Sequence, residues 1–337
     1  MRAMQLNAIA KMESSPLQLV ERDLPTPGVG EMRVRVHCCG ICRTDLHVIE
    51  GELPQQTLPI IPGHQVVGTV DDMGEGCGRF KRGDRVGVAW LRHTCGECAF
   101  CTRGQENLCE SSRFTGYHAD GGFAEYCLVP EDFAYAIPDG FRDEDAAPLL
   151  CAGIIGYHAL RRCNLPDKGK LALYGFGSSA HIVFQIAKHR GATIFVVTRG
   201  EEHVQLARGM GAAWAGTTTD GMPEKADSAI IFAPAGELVP SALESLEKGG
   251  TLALAGIYMS DIPRMNYERH IFYERDIHSV TANTRDDGKG LMEEAAHCHI
   301  RPHVSIYSLE EANRALQDLK ADRISGSGVL RIGSRES

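Results

Sequence analysis

Residues 170–189, KLALYGFGSSAHIVFQIAKH, decide the fold. Lys170–Tyr174 is a short apolar run of strand character. From Ala180 to His189 the apolar residues Ile182, Val183, Ile186 and Ala187 fall on one face of a helix. Between them Gly175 permits a tight turn and Gly177 lets a bound group approach the backbone. Ser178 and Ser179 complete the turn, and Ala180 takes the third, small position of a GxGxxA pattern. Following a strand and opening a helix, such a turn seats a pyrophosphate on the helix N-terminus and so points to a dinucleotide. A glycine-rich turn with no ligand is the plain alternative.

Outward from this stretch the pattern repeats. Thr193–Thr198 reads as strand, Glu201–Met210 as helix, Ser228–Ala233 as strand, Glu237–Lys248 as helix and Thr251–Ala255 as strand. Strands alternating with helices of this length predict right-handed crossovers and a doubly wound parallel sheet covered on both faces. The second strand ends Val197-Thr198-Arg199-Gly200, where an NAD site expects a carboxylate for the ribose hydroxyls. Thr198 and Arg199 offer none, and Arg199 suits a 2′-phosphate, so the sequence leans to NADP. Glu201 and Glu202 follow closely and keep NAD open; Arg199 as a solvated surface cation is the bland alternative.

Before about residue 147 the chain is rich in glycine and proline. Short strand-like runs (Met32–His37, Val66–Val70, Arg85–Ala89) lie between turns at 25–28 (PTPG), 61–63 (IPG) and 81–84 (KRGD). This predicts a β-rich domain with loops able to carry ligands. The tail, from roughly Asp287, holds a helix pattern at Leu309–Lys320 and a last strand at Val329–Ile332, which pattern alone assigns to neither part. A length of 337 residues fits two domains at about 150 residues each. The predicted division is 1–147 with 287–337, including a lobe at 91–112, against 148–286.

With 35 basic and 44 acidic side chains the net charge is −9, and no long basic run is present, so neither nucleic acid nor a membrane surface is an expected partner. Met1–Lys11 lacks a continuous apolar stretch, and no segment approaches the ~20 apolar residues of a membrane span. Cytoplasm is the expected compartment. There the twelve cysteines stay reduced, and clustered thiols more often hold metal than disulfides. Cys38, Cys39, Cys77, Cys127, Cys163 and Cys298 are isolated enough to serve as small buried hydrophobes.

The other six are different. Cys95, Cys98, Cys101 and Cys109, spaced by two, two and seven residues, can wrap one tetrahedral Zn²⁺, with Gly96 and Gly104 allowing the turns. Four thiolates leave no open position, so such a metal is structural. An iron–sulfur cluster stays open, although neither a second cluster motif nor a terminal proline accompanies the set. A second, scattered set comprises Cys42 and His47 in the loop 40–47 (GICRTDLH), His64 after a proline turn, and Cys151 where the composition changes. Two cysteines and one histidine make a three-ligand zinc site with an open fourth position, the catalytic arrangement.

Taken in order, the Cys42–His47 loop, Gly63-His64, Gly83-Asp84-Arg85-Val86, the four-cysteine lobe, Cys151 and the Gly175–Ala180 turn make the chain resemble the zinc-dependent medium-chain alcohol dehydrogenases almost end to end. That resemblance implies a GroES-like catalytic domain, built from the N-terminal part and the tail, with a Rossmann domain between. It implies that Cys42, His64 and Cys151 bind a catalytic zinc and Cys95, Cys98, Cys101 and Cys109 a structural one. Zinc then favours ionisation of an alcohol near neutral pH. Thr44 takes the hydroxyl proton and passes it through the nicotinamide ribose to His47 for release, and Asp45 orients His64. The family also implies a homodimer or homotetramer.

Two departures from the family pattern carry consequences. Gln65 replaces the glutamate that usually follows the zinc-binding histidine, and Gly326-Ser327-Gly328 stands where many relatives carry an arginine on the cofactor phosphate. Leu53 replaces a bulkier tryptophan of small-alcohol enzymes, and Trp90 falls at an aromatic pocket wall. A widened apolar pocket suits medium-chain or aromatic primary alcohols and their aldehydes. Two other readings remain, an enone or quinone reductase of the same superfamily without catalytic zinc and a non-catalytic zinc and nucleotide sensor. Metal content discriminates the first, and hydride transfer to a carbonyl the second.

Overall fold

The computed structural model describes residues 1–54 and 57–333, so the last four residues of the expected tail lie outside the described residues. The chain divides into two compact units. One comprises Met1–Ile154, Ala282–His297 and the chain from Arg301; the other comprises Ile155–Thr281 and Cys298–Ile300. The pattern reading put the joins at 147/148 and 286/287.

The first unit is built on a seven-stranded sheet. Its strands run in the order Val304–Ser308, Ser327–Arg331, Glu31–Ile41, Gln65–Met73, Arg85–Val88, Ala134–Ala136, and Tyr126–Pro130 pairs with Glu31–Ile41 as well. In that central strand Met32, Val34 and Val36 are buried while Arg33 and Arg35 alternate outward, after which every residue from Val36 to Ile41 is buried. The inner face packs on Val66, Val86, Phe123 and, from the tail, Leu316 and Leu330. The tail belongs here, because Leu330 pairs with Cys39 in an antiparallel ladder. The same packing explains one departure. A Cβ at Gly326 would lie 2.3 Å from the His303 carbonyl oxygen, and one at Gly328 would lie 2.8 Å from Ile41 Cδ1. At Gly326 backbone leaves no room for a side chain and φ is +84°, whereas at Gly328 a side chain requires Ile41 and Ile324 to shift.

The second unit holds six parallel strands in the order Trp214–Gly216, Thr193–Val197, Lys170–Tyr174, Ala226–Ile231, Leu246–Leu254, Asp276–Ser279. This is the doubly wound Rossmann order, with its switch point beside the first strand. Leu171, Ala172, Leu173 and Tyr174 are all fully buried, as a strand covered on both faces requires. One element departs from expectation. The helix predicted over Glu237–Lys248 ends at Glu244, and the strand predicted at Thr251 begins at Leu246. Leu246 continues the helical spacing from Ala242 and Leu243, but it is buried against Ala226 in the sheet, so tertiary pairing overrides the local period. Among the described residues no helix is long and apolar enough to cross a membrane.

Candidate active site

The helix Arg43–Glu50 begins with Cys42, a candidate metal ligand, as its cap. The Cys42 sulfur accepts the Thr44 N–H at 3.2 Å, while the Asp45 carboxylate accepts the Cys42 N–H at 2.8 Å. This is a capping box with cysteine in the place of serine. The other oxygen of Asp45 accepts from His64 Nδ1 at 3.1 Å. One fully buried carboxylate thereby orients two candidate ligands and leaves His64 Nε2 facing the Cys42 sulfur.

His64 owes its place to glycines. Gly63 has φ +96°, and a Cβ there would lie 2.4 Å from the Phe123 ring. Gly121 and Gly122 donate to the Ile61 and Gly63 carbonyls at 2.7 and 2.8 Å, pinning the turn before the strand Gln65–Met73. Cys151 arrives on a different arm, the 3-10 turn Ala147–Leu150, whose Leu149 and Leu150 are fully buried. Asp143 anchors that arm by accepting from Arg85 Nε at 2.7 Å and His37 Nδ1 at 2.8 Å. Arg85 also donates to the Phe141 carbonyl at 2.8 Å. The sequence signals Arg85 only as part of the Gly83–Val86 motif, and nothing in the sequence pairs it with Asp143.

These arms bring Cys42, His64 and Cys151 together. The Cys42 sulfur lies 3.3 Å from His64 Nε2 and 3.9 Å from the Cys151 sulfur. A tetrahedral zinc with ordinary bonds has S···N and S···S edges of about 3.6 and 3.8 Å, so the three donors fit that ion. Without a cation the donors share protons. The Cys151 thiol donates to Cys42, which together with nearby His64 holds the Cys42 thiol far below its usual range despite burial. Cys151 is correspondingly raised. Burial opposes the charge of His64, but Asp45 and Cys42 outweigh it and lift the imidazole to about 10. A bound metal has to displace these protons.

Trp90 stands beside this set, its ring 4.8 Å from His64 edge to face and stacked on Phe114 at 4.9 Å and Tyr117 at 5.9 Å. Nothing in the sequence singles out Phe114 and Tyr117, because isolated aromatics carry no period. Gln65 is buried and packs on Gly40, where a Cβ would touch it at 3.0 Å; its Nε2 has no hydrogen-bond partner among the described residues. Thr44 and His47 are half-buried on the same short helix, and Leu53 is half-buried just beyond it.

Cys95, Cys98, Cys101 and Cys109 converge as a second set, all four sulfurs within 4.8 Å of one another. The Cys95 sulfur is 3.9 Å from Cys101 and 3.6 Å from Cys109, again tetrahedral edges and far from the ~2.05 Å of a disulfide. None of the twelve cysteines forms a disulfide. The N–H groups of Glu97 and Cys98 lower the Cys95 thiol to about 7, and burial with shared thiol bonds raises Cys101 to about 12. Glu106, inside this lobe, accepts from the Arg285 N–H at 2.7 Å and from its guanidinium at 2.6 Å, tying the lobe to the helix Arg285–Cys298.

In the second unit the Gly175 N–H donates to the Val197 carbonyl at 2.8 Å, so the turn lies against the end of the neighbouring strand, where Thr198 and Arg199 follow. Gly175 has φ +88°, and a Cβ there would lie 3.0 Å from the Ala233 nitrogen. Gly177 is another matter. A Cβ there would meet nothing within 4 Å, and its φ of −97° suits any residue. The open space over Gly177, at the start of the twelve-residue helix Ser178–His189, is a cradle that a side chain would fill, and it fits a pyrophosphate. Ser178 and Ser179 are half-buried on the first turn, Ala180 is buried beneath it, and Arg199 is exposed.

Comparison with known proteins agrees with this geometry. Residues 28–139 match the alcohol dehydrogenase GroES-like domain, and residues 180–297 match the zinc-binding dehydrogenase family. The chain is 52% identical to a probable alcohol dehydrogenase, AdhA, of Mycobacterium tuberculosis, over 98% of this chain and 97% of that protein. It is 35% identical to an alcohol dehydrogenase of Geobacillus stearothermophilus, over 96% and 98%. A cobalt- and zinc-bound thermostable alcohol dehydrogenase from Pyrobaculum aerophilum superposes with a TM-score of 0.87 at 26% identity, covering 98% of this chain and 99% of that one. The chain belongs to the zinc-dependent medium-chain alcohol dehydrogenases.

Proposed function

We propose that the protein transfers a hydride between primary alcohols and NAD(P), reducing aldehydes in the reverse direction, with Cys42, His64 and Cys151 as the ligands of a catalytic zinc. The convergence of these three donors carries the reading, since a tetrahedral ion held by three side chains keeps one position for substrate. The cation supplies a Lewis acid that favours the ionised substrate hydroxyl, and the nicotinamide supplies the hydride acceptor or donor. Asp45 keeps His64 oriented, Thr44 receives the hydroxyl proton, and His47 holds a proton for release to solvent. Trp90, stacked on Phe114 and Tyr117, forms an apolar wall, and with the modest Leu53 it favours medium-chain or aromatic substrates. An enone reductase without catalytic zinc has no use for the three converging donors.

Cys95, Cys98, Cys101 and Cys109 hold the structural zinc in this reading. Gly175, Gly177, Ser178, Ser179 and Ala180 bind the pyrophosphate, and Thr198 with Arg199 favours NADP over NAD. The protein works in the cytoplasm as a homodimer or homotetramer. The strand Asp276–Ser279 at the sheet edge and the exposed Tyr267, Phe272 and Tyr273 nearby support self-association. Initial rates for a panel of primary alcohols with NAD⁺ and NADP⁺, followed by nicotinamide absorbance, test the proposal. Turnover preferring NADP⁺ is expected. No turnover with either cofactor on fully zinc-loaded protein would overturn the substrate class, and an NAD⁺ preference would overturn the role given to Arg199.

A further inference from the structure

The helix that carries Thr44 and His47 stops in a way that neither residue accounts for. Gly51 takes the left-handed conformation at φ +74°, and a Cβ there would also lie 2.6 Å from Ile9 Cγ2. Beyond it the Glu52 N–H donates back to the His47 carbonyl at 2.9 Å, the six-to-one closure of a Schellman turn. The turn folds Glu52 onto the residue five positions before it, and His47 Nδ1 lies within hydrogen-bond reach of Glu52 Oε2. Glu52 therefore holds both the main chain and the ring of His47.

We propose that Glu52 is a positioning residue for His47, fixing the imidazole in its Nδ1–H tautomer so that Nε2 is the basic nitrogen. An ionised carboxylate only accepts hydrogen bonds, so the shared hydrogen belongs to Nδ1 and the lone pair to Nε2. The neutral ring of a histidine side chain in water favours the opposite tautomer, and the contact reverses that preference. The two ends of the pair face different surroundings. His47 Nε2 is buried, whereas the Glu52 side chain is 41% exposed. A proton taken up at Nε2 would give an imidazolium whose Nδ1–H already faces a carboxylate in contact with water.

Other charges on this helix, or on the C-terminal helix and the 3-10 turn Met12–Ser14 packed against it, are engaged elsewhere. Glu50 and Glu13 pair with Lys320, and Lys11 lies near Glu50. Arg43 pairs with Asp322, and Asp45 with His64. The inference deepens the proposed function and rests on it, since a fixed tautomer matters only if His47 handles the proton.

Long-range ¹H–¹⁵N spectra of the imidazoles, on zinc-loaded protein without cofactor at alkaline pH, provide the test. A His47→Asn spectrum assigns the signals. The parent is expected to carry its proton on Nδ1, Glu52→Ala to shift it mainly to Nε2, and Glu52→Gln to keep it on Nδ1 through the amide oxygen. In turnover, Glu52→Ala is expected to lower kcat about tenfold with little change in KM, and Glu52→Gln to restore most of it. A parent protonated at Nε2, or a tautomer indifferent to Glu52→Ala, overturns the proposal. If the tautomer responds but neither Glu52→Ala nor His47→Asn affects kcat, Glu52 still positions His47 and the proton-handling role of His47 is what fails.

Discussion

At the residue scale the site turns on Asp45 and Gln65, beside the candidate metal ligands. Asp45 is buried and bonds both the Cys42 N–H and His64 Nδ1, so it fixes the tautomer and direction of one candidate ligand and the backbone of another. Asp45→Asn is expected to weaken zinc affinity at the catalytic site about 10–100-fold, read by competition with a chromophoric chelator. Unchanged affinity would mean that the ligands are held by packing alone. Gln65 is the opposite case, a neutral buried amide whose Nε2 has no hydrogen-bond partner among the described residues, where the family resemblance implies a glutamate. We expect Gln65→Glu to change the pH–rate profile and turnover, because a negative charge there alters ligand exchange or the field at zinc. Superimposable profiles would exclude an electrostatic role for this position. The donors themselves were legible in the sequence because cysteine and histidine are chemically distinctive. Their partners were not. Glu52, Asp143 and Phe114 are ordinary residues made functional by contacts across 5, 106 and 24 positions of chain.

At the element scale, two arms hold the donors. The 3-10 arm that leads to Cys151 is anchored by Asp143, which takes bonds from His37 and Arg85. Burial would raise the Asp143 carboxyl, but those two partners outweigh it and hold it below its usual value. A carboxyl depressed in the folded state adds stability that is complete above its unfolded pKa of about 4 and is lost as pH falls through the folded value. Stability against urea is therefore expected to fall between about pH 5 and 3 more steeply in the parent than in Asp143→Asn. At neutral pH the variant should already be about 3 kcal/mol less stable, because it leaves the buried Arg85 without its counter-charge. Equal slopes would show that Asp143 is not an ionised anchor. The four-cysteine lobe is tied to the Arg285–Cys298 helix by Glu106 and Arg285. Cys98→Ser should lose one zinc and lower the melting temperature while the other zinc remains; loss of both metals would show that the sites fold as one. Elements with strong period were legible, Lys170–Tyr174 to the residue. The Glu237–Lys248 helix was overextended because Leu246 fits either period and only its pairing with Ala226 decides.

At the scale of the whole molecule, the sequence motifs sort cleanly between the two units. Both metal constellations and the aromatic wall lie in the first, and the Gly175–Ala180 turn with Thr198 and Arg199 lies in the second. The tail joins the first unit through the Leu330–Cys39 pairing, a long-range contact invisible to local pattern. Everything proposed for catalysis depends on the Cys42, His64 and Cys151 site driving alcohol oxidation. That role is tested most directly by measuring alcohol-dependent nicotinamide reduction for the parent and Cys151→Ser side by side, each at known zinc content. The parent is expected to hold about two zinc per chain and to turn over, and the variant to hold about one zinc and turn over at least a thousandfold more slowly. A variant that keeps its rate, or a fully loaded parent that oxidises no alcohol, would contradict that role.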